Sequence, residues 1–72
     1  MPKRIDYPIP DQTGLINAIA NRIVQEIVDQ KLSPIPHAVK ELARCLAVPA
    51  MTHYVEVTAF ELLRELGLIK ED

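Results

Sequence analysis

Three runs of apolar residues at helical spacing, divided by two proline-bearing breaks, restrict this chain to a small set of folds. The first run is Leu15, Ile16, Ile19, Ala20, Ile23, Val24, Ile27 and Val28. Leu32-Ser33-Pro34-Ile35-Pro36 interrupts it, and Ala38, Val39, Leu42, Ala43 and Leu46 resume it. Ala47-Val48-Pro49 interrupts again before Met51, Val55, Ala59, Leu62, Leu63 and Leu66. Proline has no N–H and pushes the preceding residue toward an extended conformation, so each break separates two helices. The pattern predicts an all-α fold: a three-helix, helix-turn-helix-like bundle.

Pro2, Pro8 and Pro10 crowd the start and predict an extended arm over residues 1–10, with Tyr7 and Ile9 able to pin it. Residues 11–72 then form a single helical domain. The first helix is expected from Asp11 or Gln12 to Lys31, capped by Asp11. Its apolar stripe covers more than half the circumference, wider than one core contact needs. Two explanations fit: a central helix wrapped by the others and the arm, or one face kept for a partner. Arg22 and Glu26, four apart, should pair on its surface.

The second helix is expected to begin near Pro36 or His37, where proline fits the first turn. His37, Lys40, Glu41 and Arg44 should face outward, with Cys45 a small, partly buried filler. The third helix is expected over about Ala50–Leu66, with Val57 and Phe60 roughly opposite its core stripe. Gly67 should close it as a C-cap, with Leu68 and Ile69 folding back onto the core and Lys70, Glu71 and Asp72 in solvent.

Seventy-two residues make one small domain with a modest core. Of the residues 49% are apolar but only 4% aromatic, which suits helix packing better than a sandwich of strands. A single cysteine permits no internal disulfide and suggests a reducing compartment. No apolar run nears the roughly 20 residues of a membrane helix, and Met1-Pro2-Lys3-Arg4 leads into acid and prolines rather than an apolar signal core. A cytoplasmic location is therefore expected, without membrane association. The net charge of −2 argues against a general polyanion binder, because phosphate neutralisation supplies most DNA affinity. An acidic total can still hide a basic face.

Catalytic signatures are missing, and no enzyme is expected. Gly14 and Gly67 are the only glycines, too few for a phosphate loop, and Ser33 is the only serine. Cys45 could act as a nucleophile with His37 or His53, but a lone cysteine on a short helix is far more often packing; those histidines sit on different helices without a close-spaced second ligand, so neither metal nor cofactor is expected.

Nucleic-acid binding is the specific idea that remains. The second helix of a helix-turn-helix presents its first residues to base edges, which places Thr52, His53 and Tyr54 nearest the groove, with Glu56 beyond them. The preceding helix sets Lys40 and Arg44, four apart on one face, toward phosphates, with His37 one turn earlier. Lys3 and Arg4 on the arm can reach a minor groove or the backbone. The plainer explanation for all of these is an ordinary solvated surface.

Ile35-Pro36-His37-Ala38-Val39-Lys40-Glu41-Leu42-Ala43, followed by Leu46-Ala47-Val48, resembles the N-terminal winged-helix module of GntR-type transcription regulators. Ala59-Phe60-Glu61-Leu62-Leu63-Arg64-Glu65-Leu66-Gly67-Leu68-Ile69 is similar in apolar pattern to the end of that family's recognition helix. The likeness covers roughly residues 15–69. The span from turn to Ala59 is about three residues longer than in the family, and Pro49, Ala50 and Met51 replace its DNA-touching serine and arginines. The chain stops where a β-hairpin wing would begin, so the resemblance implies the helical core without the wing.

Two functions follow. One is a small DNA-binding transcriptional regulator acting as a homodimer on double-stranded DNA, with Val24, Val28, Val57 and Phe60 as candidate contacts between copies. The other is a helical adaptor on the same scaffold that binds a protein partner and no nucleic acid.

Overall fold

The computed structural model describes residues 12–69, and these form a small all-α bundle of three helices. Helix α1 is Thr13–Gln30, α2 is Ile35–Leu46 and α3 is Thr52–Glu65. A single 3₁₀ turn, Pro49–Met51, joins the last two. The expected arm and the Asp11 cap lie outside the described residues. Gln12 holds the N-cap position of α1 without a side-chain hydrogen bond.

Each helix contributes one apolar line to a shared core. Ile16, Ala20, Ile23, Val24 and Ile27 come from α1, Val39 and Ala43 from α2, and Val55, Ala59 and Leu63 from α3. Ala47 and Met51, from the connection, complete it. Three of these are alanines without solvent exposure, Ala20, Ala43 and Ala59, one per helix. Small side chains let helix backbones approach closely, and larger ones around them fill the space between. Among the described residues no polar or charged residue is buried.

The wide stripe on α1 has a simple cause. This helix packs against both α2 and α3, so it needs two adjoining apolar faces. Its buried residues span both, while Leu15 and Val28 at the margins stay 48% and 42% exposed. The opposite side is a solvated lattice of one-turn contacts. Arg22 Nε donates to Glu26 Oε2 at 3.3 Å, as expected from the spacing. Gln25 Nε2 donates to Asp29 Oδ1 at 3.0 Å, and Asn21 Nδ2 to the Asn17 carbonyl at 2.7 Å.

The breaks fall at the prolines. Pro34 is extended (φ −77°, ψ 140°) and caps α2, and Pro36 sits in the first turn, where its missing N–H costs no helical bond. The Ala38 amide donates to the Pro34 carbonyl at 3.1 Å, which starts the helix slightly earlier than the sequence suggests. After α2, Pro49 opens the 3₁₀ turn and the Met51 amide donates to the Val48 carbonyl at 2.9 Å. The expected start of the third helix near Ala50 is thus corrected to Thr52. From there α3 runs without interruption to Glu65.

Three expectations about packing are corrected. Cys45 is exposed rather than a partly buried filler, because it projects well round the helix from the Val39–Ala43 line. Leu66 is 58% exposed although it continues the α3 stripe. Periodicity sets the direction of a side chain, not whether a neighbouring helix extends far enough to cover it. Of the two residues expected to fold back, Ile69 packs against the core, whereas Leu68 is 44% exposed.

Candidate nucleic-acid interface

The candidate residues fall into two groups, one on α2 and one at the start of α3. On α2 the core line leaves the opposite face entirely to solvent. His37, Lys40, Glu41 and Arg44 are all exposed there, as their spacing requires. The His37 and Arg44 side chains keep 70% and 72% of their surface. Arg44 also lies in the last turn of α2, where a cation complements the partial negative charge of the carbonyl end.

A carboxylate joins this face. Glu41 Oε2 lies 4.0 Å from His37 Nε2 and 3.5 Å from Arg44 Nη2. The spacings of four and three residues that bring them together are present in the sequence, where His37, Lys40, Glu41 and Arg44 already share an outward face. Lys40 is exposed, and no ion pair involving it is found among the described residues.

The start of α3 is arranged by the turn. Thr52 is half-buried, and its Oγ1 donates to the Val48 carbonyl at 3.1 Å, tying the first helical residue back to the connection. That bond uses the hydroxyl's one donor and leaves its lone pairs for a ligand. His53 is exposed, and its ring meets the half-buried Tyr54 edge-to-face, with centroids 5.6 Å apart and planes at 68°. His53 is therefore the residue at this tip best placed to reach outward. The rest of α3 is acidic: Glu56, Glu61 and Glu65 accompany a single cation, Arg64.

Lys3 and Arg4 lie outside the described residues. Of the proposed contacts between copies, Val24 is corrected: it is 8% exposed and belongs to the chain's own core. Val28 is exposed at the margin of α1, and Val57 and Phe60 are half-buried. Phe60 packs against the core, so little of its ring is offered to a partner.

One feature escaped the sequence pattern. Ile27, Val28, Lys31, Leu32, Ile35 and Leu68 line an apolar cleft of about 230 Å³. It forms because the end of α1, the start of α2 and the residues after α3 meet at one end of the bundle, which no single helical stripe reveals. Among the described residues no three potential metal ligands converge, and no helix is long and apolar enough to cross a membrane. No family model, characterised protein or solved structure matches this chain.

Proposed function

We propose that this protein is a small helix-turn-helix DNA-binding regulator that works as a homodimer in the cytoplasm, by binding rather than by catalysis. The observation that carries the reading is the outer face of α2. His37, Lys40 and Arg44 stand there in one exposed row, free of any core duty, immediately before a turn and a helix whose first turn exposes His53. In a helix-turn-helix, cations on the first helix grip the phosphate backbone and the start of the second meets base edges. The likeness to GntR-type modules noted from the sequence supports the same assignment.

The acidic remainder of α3 sets terms for this mode of binding. Glu56, Glu61 and Glu65 repel phosphates, so only the first turn of α3 can enter a groove. One protomer then has few cationic contacts and weak affinity. Two copies double the contacts and explain why a dimer is needed, with Val28 and Val57 as the remaining surface for it. The test is fluorescence anisotropy with duplex DNA over a salt series, paired with the mass in solution. The expected result is a dimer whose affinity falls with salt with a log–log slope near −1.8 per protomer, about −0.9 for each of two phosphates neutralised. Absence of binding at low salt sinks the proposal.

A second reading rests on the apolar cleft. Val28 and Leu68 expose 42% and 44% of their surface beside it, which suits an amphipathic segment of another protein. On that reading binding is insensitive to salt and the chain is an adaptor.

A further inference from the structure

The outer face of α2 holds its own anion. One oxygen of Glu41, Oε2, lies 4.0 Å from His37 Nε2 on one side and 3.5 Å from Arg44 Nη2 on the other. A carboxylate oxygen and a phosphate oxygen offer the same charge and the same acceptor lone pairs, and a guanidinium fork accommodates either. Resting on the DNA-binding reading above, we propose that Glu41 is a built-in competitor of the DNA phosphate. Its carboxylate occupies the place between His37 and Arg44 that a backbone oxygen takes when duplex binds.

The geometry makes this competitor displaceable. All three side chains are largely open to water, with Glu41 itself 47% exposed, so the pairs are screened and individually weak. A polyanion with many phosphates displaces one carboxylate readily. The displaced carboxylate nevertheless stays on the same turn of α2, where it repels the incoming strand. Glu41 thus lowers affinity in two ways: it occupies Arg44 beforehand, and it remains beside the phosphate afterwards. Lys40, on the same face and in no ion pair among the described residues, is the contact that Glu41 does not hold. The result is a binding face set for weak, salt-sensitive contact by a single protomer.

Glu41→Gln removes the charge and keeps the size and helix preference of the side chain. Glu26→Gln is the matched control: it breaks a similar one-turn pair, to Arg22 on α1, and changes the net charge by the same amount. Both variants and the wild type are titrated with random-sequence duplex DNA at several salt concentrations, after equal thermal stability confirms that each is folded. Glu41→Gln is expected to bind about threefold to tenfold more tightly at low salt, with the slope little changed because Arg44 meets a phosphate in both complexes. Glu26→Gln is expected to move affinity by less than half as much on a logarithmic scale. Wild-type binding with no larger gain from Glu41→Gln than from Glu26→Gln overturns the competitor role and leaves the DNA-binding reading standing. Failure of all three proteins to bind overturns both.

Discussion

The amide of Leu68 donates to the carbonyl of Leu63 at 3.0 Å, across a turn in which Gly67 takes a φ of +79°. The Gly67 amide donates to the Arg64 carbonyl, also at 3.0 Å. Together these two bonds close α3 by satisfying carbonyls that the helix end would leave open. Leu63, which starts the loop of bonds, is fully buried. The closing turn therefore hangs on the deepest part of the third helix. The end of α1 uses a comparable turn without a glycine. There Lys31 carries φ 54°, and the Leu32 amide donates to the Ile27 carbonyl at 3.3 Å.

These two turns give substitutions of opposite sign. Gly67→Ala is expected to destabilise the fold by about 1 kcal/mol, because a Cβ is strained at positive φ even though no neighbouring atom crowds it. Lys31→Gly is expected to stabilise it by about 0.5 kcal/mol, the relief of left-handed strain exceeding the added freedom of the unfolded chain. Urea unfolding followed by circular dichroism measures both. Equal signs would refute the account of either turn.

Leu63 and Leu66 look equivalent in the apolar pattern but differ in the structure. Leu63→Ala removes a fully buried side chain and is expected to cost about 2–5 kcal/mol. Leu66→Ala, at a residue 58% exposed, is expected to cost under about 1 kcal/mol. Thermal or chemical denaturation of the two variants side by side checks the contrast. Comparable losses would mean that Leu66 is covered in solution, for instance by a second copy.

The difference between those two leucines shows what the sequence can and cannot convey. Helix number, the breaks at Pro34, Pro36 and Pro49, the Gly67 cap and the direction of each stripe are local properties, written in spacing and backbone chemistry. Exposure at the ends of stripes is not local. Leu66 and Leu68 depend on how far a neighbouring helix extends, and the apolar cleft depends on three segments meeting. The candidate interface divides in the same way. The outward face of α2 follows from its period, whereas Glu41's place between His37 and Arg44 is a matter of rotamers. The 3₁₀ turn before α3 also needed coordinates, since Pro49 fits the first turn of either kind of helix.

Cys45 offers a direct check on the corrected surface. Its exposure predicts that a thiol reagent modifies the native protein stoichiometrically, without denaturant and at close to the rate of the unfolded chain. Cys45→Ser should change stability by no more than about 0.5 kcal/mol. A thiol that reacts only after unfolding would place it in a contact, and the α2 face beside Arg44 would then need reassignment.

The last prediction concerns the two cations that the proposed function depends on most. Lys40→Ala together with Arg44→Ala should weaken binding to any duplex sequence by a similar factor, because phosphate contacts carry no base information. The log–log dependence on salt should flatten by about 1.8 per protomer, two contacts at about 0.9 each. Arg44 also complements the end of α2, so its loss is expected to cost roughly 0.3–1 kcal/mol of stability. That cost must be separated from binding, and the slope does so: a partly unfolded population lowers the apparent affinity at every salt concentration but leaves the number of displaced counterions unchanged. Unaltered slope with lowered affinity would therefore remove Lys40 and Arg44 from the interface. Loss of slope with the helical content intact would place both on the phosphates.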